Sequence, residues 1–456
     1  MRDAPAIRQE LRATMQLAGP LVLAGLLQMA LGATDIAFIA RLGPGPLAAA
    51  SLGVALFGVT IWALSGMSGQ VGTLIAAAIG ARGPAVREVR RIARMGLWLA
   101  VASGVLAMAI CAGGERLMRL TGQDPQIAAM SGAFLRLMLW SAIPLLVSNV
   151  LRAFVSALGR PVFATVIALL SVPLNVLGNY ILVFGNFGAP AMGMRGSAAA
   201  SVITALIGMV MYVVAIRRDR RLRRYHLFGN LWRPDWPQIG RLLAVGAPVA
   251  ITIVAEAGLF SAAAFLMGRI GALELAAHTL ALNIASLAFQ VPFGLAQAAT
   301  IRVGYFYGAG DRAGIGRAGL VSIVLSQAFA LASAGVLLAF PLLVLGLWVD
   351  PGDPPNGPLL ALATAYLMVA AAFQLVDGLQ AVAMGALRGL QDTRVPMAFA
   401  IAGYWLPGFG LAAWLGLATA LRGTGVWVGL AIGLVIVAIL ALARWHMRER
   451  LGLLAR

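Results

Sequence analysis

The chain has 456 residues, of which 61% are hydrophobic and only 11% charged. A water-soluble domain of this length needs far more surface charge, so the composition selects a polytopic membrane protein. All 34 basic residues are arginine, which excludes a Walker A loop, and the single Cys111 with three scattered histidines (His226, His278, His446) offers neither a disulfide framework nor a zinc set.

The N-terminal MRDAPAIRQELRATM is charged and leads into an apolar run over 15–40. That run is too long for the apolar core of a signal peptide and reads as a first spanning helix; it contains Gln28 and Asp35. Further runs of about 20 or more apolar residues follow at 47–79, 95–113, 127–158, 161–185 and 196–216. The fifth carries SVPLNVLGNYIL, in which Asn175 and Asn179 are spaced to share one helix face. A basic stretch, RRDRRLRRYH at 217–226, is followed by the polar GNLWRPDWPQIGR. This connector is expected to be cytoplasmic and to touch anionic headgroups.

The second half has runs at 242–268, 274–307, 318–347, 358–387, 395–417 and 425–443. The seventh includes AITIVAEAGLF, where the carboxylate of Glu256 opposes insertion by about 2.5–3.5 kcal/mol. The eighth opens on Glu274 and His278, read as interfacial, and carries Asn283, Gln290 and Gln297 at intervals of seven, as a polar stripe or as interhelical glue. The tenth reads AAFQLVDGLQAV and places Phe373, Gln374 and Gln380 near the face of Asp377. Prolines at 20, 144, 173, 248, 292, 341 and 407 each remove a backbone hydrogen bond and permit a bend.

Twelve crossings put both termini on one side. With the N-terminus inside, 27 arginines are cytoplasmic and seven are not (Arg41, Arg116, Arg119, Arg136, Arg195, Arg269, Arg422). The formal charge of +18 is therefore an orientation signal for the inner membrane rather than a nucleic-acid footprint. The halves also repeat. An offset of 228 pairs Pro20 with Pro248, Arg41-Leu42-Gly43 with Arg269-Ile270-Gly271, Gly66 with Gly294 and Gly80 with Gly308. Six spans per half make the copies parallel, as in two-lobed transporters. The expected fold is all-α and integral to the membrane, with twelve transmembrane helices in two pseudo-symmetric six-helix lobes: an N-lobe over 1–216, a connector over 217–241 and a C-lobe over 242–456.

Asp35, Glu256 and Asp377 are the acids well inside these spans, and no arginine is expected at their depth. Protonated, packed side chains are one reading; ion-coupling groups are the other. Under the repeat, Glu256 falls opposite Gln28 and Asp35 opposite Ala263, so the acids break the symmetry.

The ordered segments LAGPLVLAGLLQMALGATDIAFIARLG, VPLNVLGNYILVFG, AEAGLFSAAAFLMGRIG, VGYFYGAGD and VDGLQAVAMGALRGLQDTRVPM resemble the multidrug and toxic compound extrusion (MATE) family, and its NorM-like branch in particular. The resemblance implies antiport of lipophilic, mostly cationic organic compounds against Na+ or H+, with no enzyme activity and no cofactor beyond the coupling ion. It implies cation coupling at Asp35 with Asn175 and Asn179, and at the pair Glu256 and Asp377, where Na+ could bind. Gln28, Phe373, Gln374, Asn283 and Gln290 are expected as polar support and cavity lining. Phe373 stands where the family would have tyrosine, leaving an aromatic face for a cation. The implied partners are small lipophilic cations and the bilayer, with the chain acting as a monomer. Lipid or lipid-linked oligosaccharide flipping on a related fold is the alternative, and it calls for cavity arginines.

Overall fold

The computed structural model describes residues 4–81, 85–229 and 231–454. Arg2, Arg82 and Arg456, counted above as cytoplasmic, lie outside the described residues. Among the described residues, twelve helical spans are long and apolar enough to cross a bilayer: α1 Pro5–Ala40, α2 Pro44–Gly80, α3 Ala85–Ala112, α4 Pro125–Ala157, α5 Val162–Phe184, α6 Met194–Arg218, α7 Trp236–Ile270, α8 Ala272–Ala309, α9 Arg312–Ala339, α10 Pro354–Gly389, α11 Arg394–Ala418 and α12 Arg422–His446. The shortest has 23 residues, about 35 Å at the α-helical rise, which exceeds a hydrocarbon core of about 30 Å.

The prolines act in two ways. Pro20, Pro173, Pro248 and Pro292 lie inside continuous helices. Pro341 instead ends a span, because it lacks the N–H that would continue the ladder. The expected run over 318–347 accordingly divides at Phe340 into α9 and a short helix Pro341–Leu345. Pro407 sits in a π-helical turn, Tyr404–Phe409, that re-aims the middle of α11.

The chain forms two compact units, one of residues 23–250 and one of residues 1–22 with 251–456. Both divisions fall inside a helix, two residues past Pro20 in α1 and two past Pro248 in α7, so they obey the repeat offset of 228.

In the 23–250 unit, α5 and α6 approach so closely that a Cβ at Gly196 would collide with the Leu182 carbonyl. The connector is not a loose linker. Arg90 Nε donates to the Tyr225 carbonyl at 2.7 Å, Arg94 Nη2 to His226 at 3.1 Å and Trp98 Nε1 to Leu231 at 2.6 Å, while Arg91 pairs with Asp235 at 2.6 Å. Helix α3 thus satisfies backbone acceptors that a loop would otherwise leave to water. The Arg91 hydrogen bond also holds the Asp235 carboxyl below its ordinary value of 3.8.

In the other unit, α8 and α10 pack backbone to backbone. A Cβ at Gly385 would lie 2.6 Å from the Ala296 carbonyl, and Thr300 Oγ1 donates to the Gly385 carbonyl at 2.8 Å. The start of α1 is tied to α8 by Glu10 and Arg302, whose Nε reaches Glu10 Oε1 at 2.8 Å and whose Nη2 reaches Oε2 at 2.5 Å.

Candidate ion-coupling sites

In the 23–250 unit, α1 presents Asp35 to α5 and α6. Asn179 Nδ2 donates to Asp35 Oδ1 at 2.7 Å and Asn175 Nδ2 to the same oxygen at 3.1 Å. The spacing of the two asparagines does place both amides on one face. Ser201 of α6 donates to the other oxygen, Oδ2, in a very short contact. The sequence reading missed Ser201, although Ser197 and Ser201 repeat at four residues in RGSAAASV and mark a polar edge on a small-residue helix.

Asp35 is buried and its three partners are neutral. An amide N–H can only donate, so Oδ1 remains an acceptor, whereas a hydroxyl both donates and accepts. The Ser201 bond can therefore reverse when Oδ2 gains a proton, or yield Oδ2 to a metal cation.

Beside this cluster, Phe38 of α1 and Val172, Pro173, Val176, Leu177 and Tyr180 of α5 line an open, almost wholly apolar surface pocket of about 530 Å³. Val176 and Tyr180 directly follow Asn175 and Asn179, so α5 offers amides to the acid and aliphatic and aromatic groups to the cavity. Gln28 is exposed on α1.

In the other unit, Asp377 of α10 is buried and feels the charge of Glu256 of α7, which is only partly exposed. Tyr404, in the π-turn of α11, interacts with both carboxyls and accepts a 2.8 Å hydrogen bond from Gln380 Nε2. Tyr404 was not singled out from the sequence; a phenol in the otherwise apolar IAGYWLPGFG carries too weak a signal.

The sequence expectation of no arginine near the acids is corrected here. Arg388 lies near the end of α10 and interacts electrostatically with Glu256. Residue 388 borders a predicted span limit, which is why counting loops misplaced it.

Gln374 Oε1 accepts from Ser333 at 2.8 Å, and Asp377 Oδ1 is buried without a protein partner. Phe373 is 2% exposed, wedged edge-on between Phe260 and Trp427. Asn283 is exposed and bonds its own helix at the Thr279 carbonyl, and Gln290 is half-buried. Among the described residues no three His, Cys, Asp or Glu side chains form a metal-binding group.

The position 228 residues before Asp377 holds Asn149. It donates to the Ser65 carbonyl at 2.8 Å and accepts from Arg152 at 2.6 Å. The repeat thus replaces an acid with an amide already engaged by a cation, which explains how a symmetric scaffold carries different charge in its two units.

A family model for MatE matches residues 20–181 and again 248–414, once in each half. The chain belongs to the MatE family. It is 41% identical to the probable multidrug resistance protein NorM of Mesorhizobium japonicum, over 98% of this chain and 95% of that relative. It is 38% identical to the multidrug resistance protein NorM of Burkholderia vietnamiensis, over 97% and 95%. These relatives place this MatE protein in the NorM-like branch. Its fold matches the eukaryotic MATE transporter AtDTX14 with a TM-score of 0.87 at 19% identity, over 97% of this chain and 96% of that one. A MATE protein in the bent conformation matches at 0.85 and 21% identity, over 98% and 97%. It is a multi-pass membrane protein of an all-helical, twelve-span architecture.

Proposed function

We infer that this MatE protein exports lipophilic, mostly cationic organic compounds from the cytoplasm in exchange for Na+ or H+, by alternating access. The observation that carries the reading is Asp35, a buried carboxylate in a spanning helix held only by neutral donors, beside an apolar cavity. A carboxylate so placed attracts a cation, and the cavity wall favours an apolar body on that cation. The names of its NorM relatives point the same way.

When the coupling ion neutralises Asp35, or Glu256 with Asp377, the attraction for a cationic drug falls and the drug leaves. Drug binding weakens ion binding by the same factor. An inward membrane potential of 100 mV adds about 2.3 kcal/mol for each charge carried in by the ion. The arginine distribution supports cytoplasmic termini in a bacterial plasma membrane. The apolar cavity has no arginine in its lining, so anionic lipid headgroups would find no partner there.

Ethidium efflux from cells expressing Asp35→Asn, Glu256→Gln or Asp377→Asn at matched levels tests the reading. Loss of efflux in Asp35→Asn and in at least one of the other two is expected. Full efflux in all three would remove the acids from the mechanism. Proteoliposomes with separately imposed Na+ and H+ gradients then identify the ion.

A further inference from the structure

Between the start of α10 and Asp377, the buried face of this helix carries Tyr366, Phe373 and Gln374. His278 of α8 and Trp427 of α12 pack beside it, their rings 5.5 Å apart, and Phe373 meets Trp427 at 5.7 Å. His278 and Tyr366 are each 1% exposed and Trp427 is 0% exposed. Yet both ring nitrogens of His278, the Tyr366 hydroxyl and Trp427 Nε1 have no protein hydrogen-bond partner, and neither do Gln374 Nε2 and Asp377 Oδ1.

A buried polar atom without a partner costs about 1–3 kcal/mol. Apolar side chains would pack here without that cost, so packing alone does not account for a histidine, a tyrosine and a tryptophan converging here. The helix starts close the set at one end, where Arg422 Nη2 pairs with Glu274 at 2.6 Å. The next residue, Gly423, lies so close to Tyr366 that a Cβ there would collide with the phenol oxygen. Unpartnered polar atoms therefore recur along this face, at Tyr366 near the ion pair, at His278 beside Trp427, and at Gln374 and Asp377, none of these atoms being hydrogen-bonded to the next. Tyr366 and Asp377 are eleven residues apart, about 16 Å along the helix.

We propose that this set is a proton relay between the Glu274 and Arg422 end of the helices and Asp377, with His278 as the carrier. The proposal rests on the cation-coupling reading of Asp377 and names the ion that reaches it. A neutral imidazole accepts a proton on one nitrogen and releases one from the other. A phenol likewise donates and accepts. Phe373 packed against Trp427 leaves an aromatic constriction, which excludes a hydrated Na+ as a body but not a proton handed between polar atoms.

The ionisable groups around the relay are Glu274 on α8, Tyr366, Asp377 and Arg388 on α10, Arg422 on α12, Glu256 on α7 and Tyr404 on α11. Helix α9 contributes only the uncharged Ser326, Gln327 and Ser333. Glu274 and Arg422 neutralise each other.

The test uses purified full-length protein in proteoliposomes, with a pH dye reporting the protons released when ethidium is added. His278→Gln should bind ethidium within twofold of wild type and release the same number of protons at equilibrium, at a rate lowered tenfold or more. Tyr366→Phe, which removes one oxygen and keeps the ring, should slow release at least threefold, and it decides the matter should His278→Gln fail to fold. Wild-type rates in these variants overturn the relay, as does a wild-type protein that releases no protons. Asp377→Asn separates the two layers. If it abolishes release while His278→Gln and Tyr366→Phe are fast, only the relay falls. If it leaves release intact, the role of Asp377 beneath the relay falls as well.

Discussion

Replacing Ser201 by alanine removes one donor from Asp35 and leaves the two amides in place. A hydrogen bond to a charged group contributes about 1.5–3 kcal/mol, against about 0.5–1.5 between neutral partners. The serine therefore favours the bare carboxylate over its ion-neutralised form by about 1–1.5 kcal/mol, close to tenfold in an equilibrium constant. Without it the carboxylate should hold its coupling ion about tenfold more tightly by the same arithmetic. In proteoliposomes the ion concentration that half-saturates exchange should fall by that factor, and drug-triggered ion release should slow. Ser201→Thr keeps a hydroxyl and should stay near wild type. An unchanged half-saturating concentration in folded Ser201→Ala would refute the assignment of this hydroxyl to the coupling site.

Other consequences are open to measurement. Asp377→Asn should leave the detergent melting temperature within a few degrees of wild type, because Oδ1 has no protein partner to lose. Gly385→Ala should destabilise by about 1–3 kcal/mol through overpacking, since its Cβ meets the Ala296 carbonyl on a neighbouring backbone; a wild-type melting temperature would contradict the close approach of α8 and α10. Glu10→Gln breaks a buried two-point pair and should cost about 3–5 kcal/mol, by leaving Arg302 with a partner that no longer carries charge. Asp235 has its carboxyl held below 3.8 by Arg91, so its contribution is present above that value and lost as pH falls through the depressed one. Protease cleavage of the connector should rise on that acid side in wild type and already at neutral pH in Arg91→Gln.

The spans and their doubling were legible because a bilayer imposes long apolar runs, and because the offset of 228 survives in R-[LI]-G and in glycines far apart. The division of the chain was less so. A helix that passes from one compact unit to the other keeps its apolar pattern throughout, so nothing in the composition of α1 or α7 marks residue 22 or 250. In the sites, Asn175 and Asn179 could be read because amides are rare in such helices and four-residue spacing sets their direction. Ser201 and Tyr404 were harder, since serine and tyrosine occur in spanning helices for many reasons and only tertiary placement turns them toward an acid. Arg388 illustrates a third limit. Charge counting assigns an arginine to a loop when it stands near a span boundary, while its long side chain works inward from there.

The division at residues 22 and 250 also bears on how the protein is made. The first 22 residues belong to a unit whose remaining members begin at residue 251. At translation speeds of about 5–20 residues per second, this leading segment waits roughly 10–50 s in the membrane before its packing partners are synthesised. During that interval Glu10 has no Arg302 to meet, and a nascent chain halted before residue 251 should expose it to insertion factors or membrane proteases.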